Sequence, residues 1–120
     1  MLKKAALAIA GVIALTLIVS ELRVPREASP QEERERVLRQ DLTIMRQVLD
    51  QYLVDLHRRP SSLDDLVLAG YLRQIPIDPM TGRRDTWVGE MSKDPKMAGL
   101  VDIHSGSHSV SNKGNAYSQW

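Results

Sequence analysis

No cysteine occurs in this chain, so disulfide staples, thiolate nucleophiles and Cys-based zinc sites are excluded at once. Phenylalanine is absent too. Aromatic residues make up 4% of the chain, two tryptophans and three tyrosines, so any core must be aliphatic and small. Sixteen basic residues against fifteen acidic ones leave a formal net charge of +1, which provides no long-range field for gathering nucleic acid. No basic patch interleaved with aromatics compensates, and nucleic acid is not an expected partner. A chain of 120 residues, less its apolar N-terminal segment, holds roughly one small domain.

Catalytic signatures are equally scarce. There is no glycine-rich phosphate loop, no paired-carboxylate motif and no nucleophile-base pair. His104 and His108 have the spacing of helical metal ligands, but their stretch, DIHSGSHS, is Ser/Gly-rich with no helical pattern and no evident third ligand. His57 stands beside Arg58 and Arg59 at the end of a predicted helix, where a cation suits the helix dipole and a capping role is expected. Asp64 and Asp65 fall in the first turn of another helix, where the dipole alone favours them. The sequence therefore predicts a protein that is not an enzyme, with no cofactor and no small-molecule substrate.

What is present begins with Lys3, Lys4 and an apolar run from Ala5 to Val19. The run predicts a membrane-targeting segment over residues 1–22. The following SELRVPRE is bulky and charged where signal peptidase needs small residues, so an uncleaved transmembrane helix is expected. Residues 23–30, with Pro25 and Pro30, read as a linker or kinked stalk leading to a head at 31–120.

The head opens with helix signals: Ser29 as cap, Pro30 at the first helical position, and Glu32. Leu38, Leu42, Met45, Leu49, Tyr52 and Leu56 recur at spacings of four and three and share one stripe, which Val48 and Leu53 widen. On the outer face Glu32 with Arg36 and Glu35 with Arg39 have the spacing of i,i+4 ion pairs. The helix should stop before Pro60. Ser62 and Asp65 have capping-box spacing for a short second helix that Gly70 closes. IPIDPMTG is too rich in proline and glycine for helix or central strand and reads as a rigid connection. Asp85 to Gly89 and Leu100 to His104 are the strand candidates, with a loop between them. The predicted fold class is α+β, a long amphipathic helix packed on a small antiparallel sheet.

The order of these features resembles the soluble head of type II secretion pseudopilins, a branch of the type IV pilin-like family, over roughly residues 38–120. The matching positions are Asp50, Tyr52, Asp55, Pro60, Ser62, Leu63, Leu66, Gly70, Tyr71, Leu72, Pro76, Asp78, Pro79, Gly82 and Trp87, then Asp102, Ser105, Gly106 and Trp120. The resemblance implies a pilin-like fold, a single-pass inner-membrane protein with its head in the periplasm, and protein-protein contacts with other pseudopilins or membrane-complex subunits. Its assembly and structural residues would be Leu38, Leu42, Met45, Leu49, Tyr52, Gly70, Tyr71, Pro76, Asp78, Pro79, Trp87 and Trp120.

Two departures bear on what the resemblance implies. Relatives carry a glycine, a phenylalanine and a Thr-Leu-Ile-Glu run at a prepilin peptidase site, whereas here Gly11 precedes VIALT and the first acidic residue is Glu21. A static membrane-tethered scaffold using the same head, or a secreted module whose leader is removed, are the alternatives that this leaves. Major pseudopilins also bind calcium in a C-terminal loop rich in aspartate. Here SGSHSVSNKGNAY supplies no carboxylate, and Asp102, Ser105 and Asn112 are the weak calcium candidates.

Overall fold

A computed structural model of the protein describes residues 25–120. The predicted anchor over residues 1–22 lies outside the described residues, as does the start of the linker. Among the described residues, no helix is long and apolar enough to cross a membrane.

Helix α1 spans Pro30–Leu56 and begins where the cap signals place it. Ser29 Oγ accepts from the Glu32 N–H at 3.2 Å, and the Glu32 carboxylate accepts from the Ser29 N–H at 2.8 Å. That reciprocal box satisfies two of the N–H groups that a helix start leaves unpaired. The bond from the Ser29 backbone also holds the Glu32 carboxyl below its ordinary range. At the other end His57 turns into the left-handed region at φ 55°, and its N–H donates to the Leu53 carbonyl at 2.9 Å. The helix thus ends earlier than Pro60 alone would require. Leu38, Leu42, Met45, Leu49 and Tyr52 are buried along one stripe, whereas Leu56, at its end, is 38% exposed.

The predicted ion pairs on the outer face are rearranged. Arg36 pairs with Glu33, three residues back, at 2.6 Å, while Glu35 and Arg39 turn to the C-terminal segment instead of to each other. Tertiary partners outcompete an i,i+4 contact because exposed pairs of that kind contribute only tenths of a kcal/mol, on the order of 0.2–0.5.

Helix α2, Leu63–Leu68, follows the buried Pro60. Ser62 is its cap residue but makes no side-chain bond, and Asp65 instead reaches past it to the Ser61 N–H at 2.7 Å. Gly70 closes the helix at φ +83°, with its N–H on the Val67 carbonyl and the Tyr71 N–H on the Leu66 carbonyl. This double bond pattern is a Schellman motif, for which glycine is favoured because it lacks a Cβ.

Strands β1, Val88–Met91, and β2, Leu100–His104, form a two-stranded antiparallel sheet. The first begins three residues later than the sequence predicts. Asp85 to Trp87 are engaged in closing the preceding connection: Asp85 binds Arg83, Thr86 shares a hydroxyl bond with Thr81, and the Trp87 indole donates to the Pro76 carbonyl. Val88 pairs with His104, Gly89 with Ile103, Glu90 with Asp102 and Met91 with Leu100, so β2 spends one extra residue, Val101. The bulge resets the alternation. Leu100 and Ile103, three apart, are both buried, while Asp102 and His104 share the opposite face with Glu90.

A two-stranded sheet is marginal alone and requires a packed face. Here Leu100 and Ile103 join the α1 stripe, Leu63, Leu66 and Tyr117 in one core, ringed by Val48, Tyr71, Leu72, Ile75, Met80, Trp87 and Trp120. The described residues form an α+β unit with a long helix over a small antiparallel sheet.

Candidate functional site: a buried latch and a polar hub

The IPIDPMTG connection and the C-terminal segment meet at Asp78, which is wholly buried. One carboxylate oxygen accepts from the Met80 N–H at 2.8 Å, holding its own turn. The other accepts from the Ser105 hydroxyl at 2.6 Å and the Gly106 N–H at 3.2 Å. Gly82 N–H bonds the Asp78 carbonyl at 2.8 Å, closing the loop on itself. Gly106 is required sterically, since a methyl group there would overlap the Thr86 carbonyl. Beyond the latch, serines carry the chain: Ser105 Oγ accepts from the Ser107 N–H, and Ser107 Oγ from the Ser109 N–H. Ser105 and Asp78 form a hydroxyl-carboxylate contact, but both are sealed from solvent at 0% exposure, which suits a structural clasp.

Asp41, on α1, feels this latch. Burial first, and then the Asp78 charge, push its carboxyl above the ordinary range.

The second cluster is organised by Arg46, also on α1. Its guanidinium donates to Asp102 Oδ1 at 2.7 Å, to the Ile103 carbonyl at 3.0 Å and to the Trp120 carbonyl at 2.7 Å. Burial works to raise the Asp102 carboxyl, but the bonds from Arg46 and the Ile103 N–H, with the charges of Arg46 and His104, hold it below its ordinary range. His104 Nδ1 lies 3.2 Å from the Trp120 carbonyl, and its Nε2 lies 3.3 Å from a Glu90 carboxylate oxygen and 3.6 Å from Asp102 Oδ2. The Trp120 ring is covered by Arg39 at 4.3 Å and meets Tyr117 edge-on at 5.0 Å. Tyr117 in turn donates to Glu35 at 2.8 Å, and burial with that bond raises its phenol. The closing segment is therefore fastened to α1 along three turns.

The predicted site residues divide by role. Leu38, Leu42, Met45, Leu49 and Tyr52 are core, Gly70 is a helix stop, and Tyr71 stacks obliquely on Tyr52 and donates to Asp55 at 2.7 Å. Pro76, Asp78 and Trp87 form the latch region with Pro79 beside it, and Trp120 belongs to the hub. The calcium candidates have separate engagements: Asp102 with Arg46, Ser105 with Asp78, and Asn112 exposed in a turn. Asp102 groups instead with Glu90 and His104. Arg46 and Glu90 were not legible as site residues. Arg46 borders the apolar stripe as one more charged residue of the helix, and Glu90 meets Asp102 only through the cross-strand register.

On the surface, Val54, Leu68, Ile77, Val88, Met91 and Val110 are exposed apolar side chains. A groove of about 540 Å³ runs between the start of α2 and the sheet, with Leu63, Ile75, Trp87 and Met91 along it and Asp64, Arg84 and Asp85 at its rim.

In comparisons with protein-family models, with curated proteins and with solved structures, nothing matches this chain.

Proposed function

We propose that this chain is a non-enzymatic, membrane-anchored subunit with a pseudopilin-like head, acting through protein-protein contacts in a type II secretion or type IV pilus-like assembly. The observation that carries the reading is the Asp78 latch. The two segments whose motifs resemble the pseudopilin head, IPIDPMTG and the closing DIHSGS, meet at one buried carboxylate beneath a long N-terminal helix. A long helix packed on a small sheet suits a subunit whose N-terminal apolar segment lies in a membrane while its head faces neighbours. Val54, Leu68 and Ile77 are exposed apolar side chains available to such contacts.

The test is to recover the full chain from native membranes, determine its intact mass and N-terminus, and cross-link it in place. The expected result is a chain that sediments with membranes, resists salt extraction and cross-links to pilin-like subunits. A soluble chain with its mature start beyond residue 20 overturns the reading. A start at Val12 identifies a processed filament subunit, whereas retained Lys3 and Lys4 with cross-links to a fixed membrane complex identify a static scaffold.

A further inference from the structure

We infer that Glu90, Asp102 and His104 form a binding site for a divalent transition metal, with zinc as the best-fitting ion. The sheet register brings them together. Asp102 and His104 are alternate residues on one face of β2, and Glu90 is the cross-strand partner of Asp102 on β1. Their ligand atoms all lie within 4.8 Å of one another.

Two further observations point to a cation at His104 Nε2. The main-chain oxygen of Trp120 can only accept a hydrogen bond, so a proton sits on Nδ1 and Nε2 is the ring nitrogen left to face the strand partners. Nε2 faces two carboxylate oxygens, which are acceptors. A positive charge belongs among the three, either a second proton on the imidazole or a metal ion. The spacing then favours a metal over a proton: the separations of 3.3 and 3.6 Å are long for charge-assisted hydrogen bonds of about 2.7–2.9 Å. They are close to the ligand-ligand edge of about 3.4 Å in a tetrahedral site with bonds of about 2.0–2.1 Å.

The supporting contacts also suit a metal centre. A histidine ligand commonly donates its other N–H to a backbone carbonyl, which fixes the tautomer and the ring plane. Asp102 gives Oδ1 to Arg46 and keeps Oδ2, the atom nearer His104 Nε2, for a metal. One nitrogen and two carboxylate oxygens make a donor set for zinc, with the fourth position left to water, and fall short of the six to eight oxygens calcium prefers. His108, the other histidine of the DIHSGSHS stretch, is exposed and outside the group. Bound metal would staple β1 to β2 and, through His104 and Trp120, to the closing segment. The inference stands whichever assembly the head joins.

The test is calorimetric titration of the full-length, chelator-treated chain in detergent with zinc chloride, and separately with calcium chloride. The expected result is one zinc per chain at micromolar concentration, no calcium binding at that concentration, and a raised unfolding midpoint with zinc. Glu90→Gln and His104→Gln should each weaken zinc binding at least about tenfold, since losing even an outer partner of a ligand costs that much, and His108→Gln should leave it unchanged. Glu90 is exposed, so its variant keeps the test decisive if His104→Gln unfolds. No zinc binding at micromolar concentration, binding indifferent to Glu90→Gln, or calcium binding equally tight overturns the inference.

Discussion

Replacing Asp78 with alanine removes an acceptor that holds three donors at once: the Met80 N–H, the Ser105 hydroxyl and the Gly106 N–H. A hydrogen bond to a charged group contributes about 1.5–3 kcal/mol net, and each buried donor left without a partner costs about 1–3 kcal/mol. Loss of the carboxylate also relieves its own desolvation, so the sum is not simply additive. Three buried donors left unpaired, partly offset by that relief, put the net destabilisation at about 3–5 kcal/mol. With a urea slope of about 1–1.5 kcal/mol/M for a unit of this size, the unfolding midpoint should fall by about 2–5 M. Urea unfolding of the full chain in mild detergent, followed by tryptophan fluorescence, reads this directly, because Trp87 bonds the same connection through Pro76. Asp78→Asn keeps one oxygen but turns an amide donor toward other donors, and should recover less than half the loss. A midpoint for Asp78→Ala within about 0.5 M of wild type would show that the latch does not hold the two segments together.

Other perturbations test the hub and the steric fit. Arg46→Met should destabilise by about 1–3 kcal/mol, the moderate figure reflecting a side chain more than a third exposed, and urea unfolding at neutral pH checks it. Asp102 has a folded pKa below its unfolded value, so its contribution is present above the unfolded value and is lost as pH falls through the folded one; the stability gap between wild type and Asp102→Asn should close in acid. Asp41 has the opposite sign, its ionisation opposing folding at neutral pH, so Asp41→Asn should raise stability slightly there and lose that advantage as pH falls through the raised folded pKa. Gly106→Ala must displace the Thr86 carbonyl and should cost about 1–3 kcal/mol as overpacking, whereas Ser118→Ala, at an exposed position, should change the midpoint by less than about 0.5 kcal/mol equivalent.

Much of the architecture was legible because it follows from local rules. The start of α1 follows from Ser29, Pro30 and Glu32, its buried face from the four-three spacing, and the end of α2 from a glycine that alone enters left-handed geometry cheaply. The rigid connection followed from its prolines. Less legible was how partners are shared out. Glu35 and Arg39 looked like partners for each other, but folding brings Tyr117 and Trp120 to them.

Composition, periodicity and turn chemistry thus determined the α+β class, the helix limits to within a few residues, and the aliphatic stripe that becomes the core. Tertiary structure alone decided the strand register, because the extra residue at Val101 has no local signal and exists to bury Leu100 and Ile103 together. The same register sets Glu90 opposite Asp102, on the face that His104 shares. Burial of Asp78 likewise depends on a segment 27 residues away arriving with a hydroxyl and a free N–H, a coincidence of packing that spacing along the chain cannot encode.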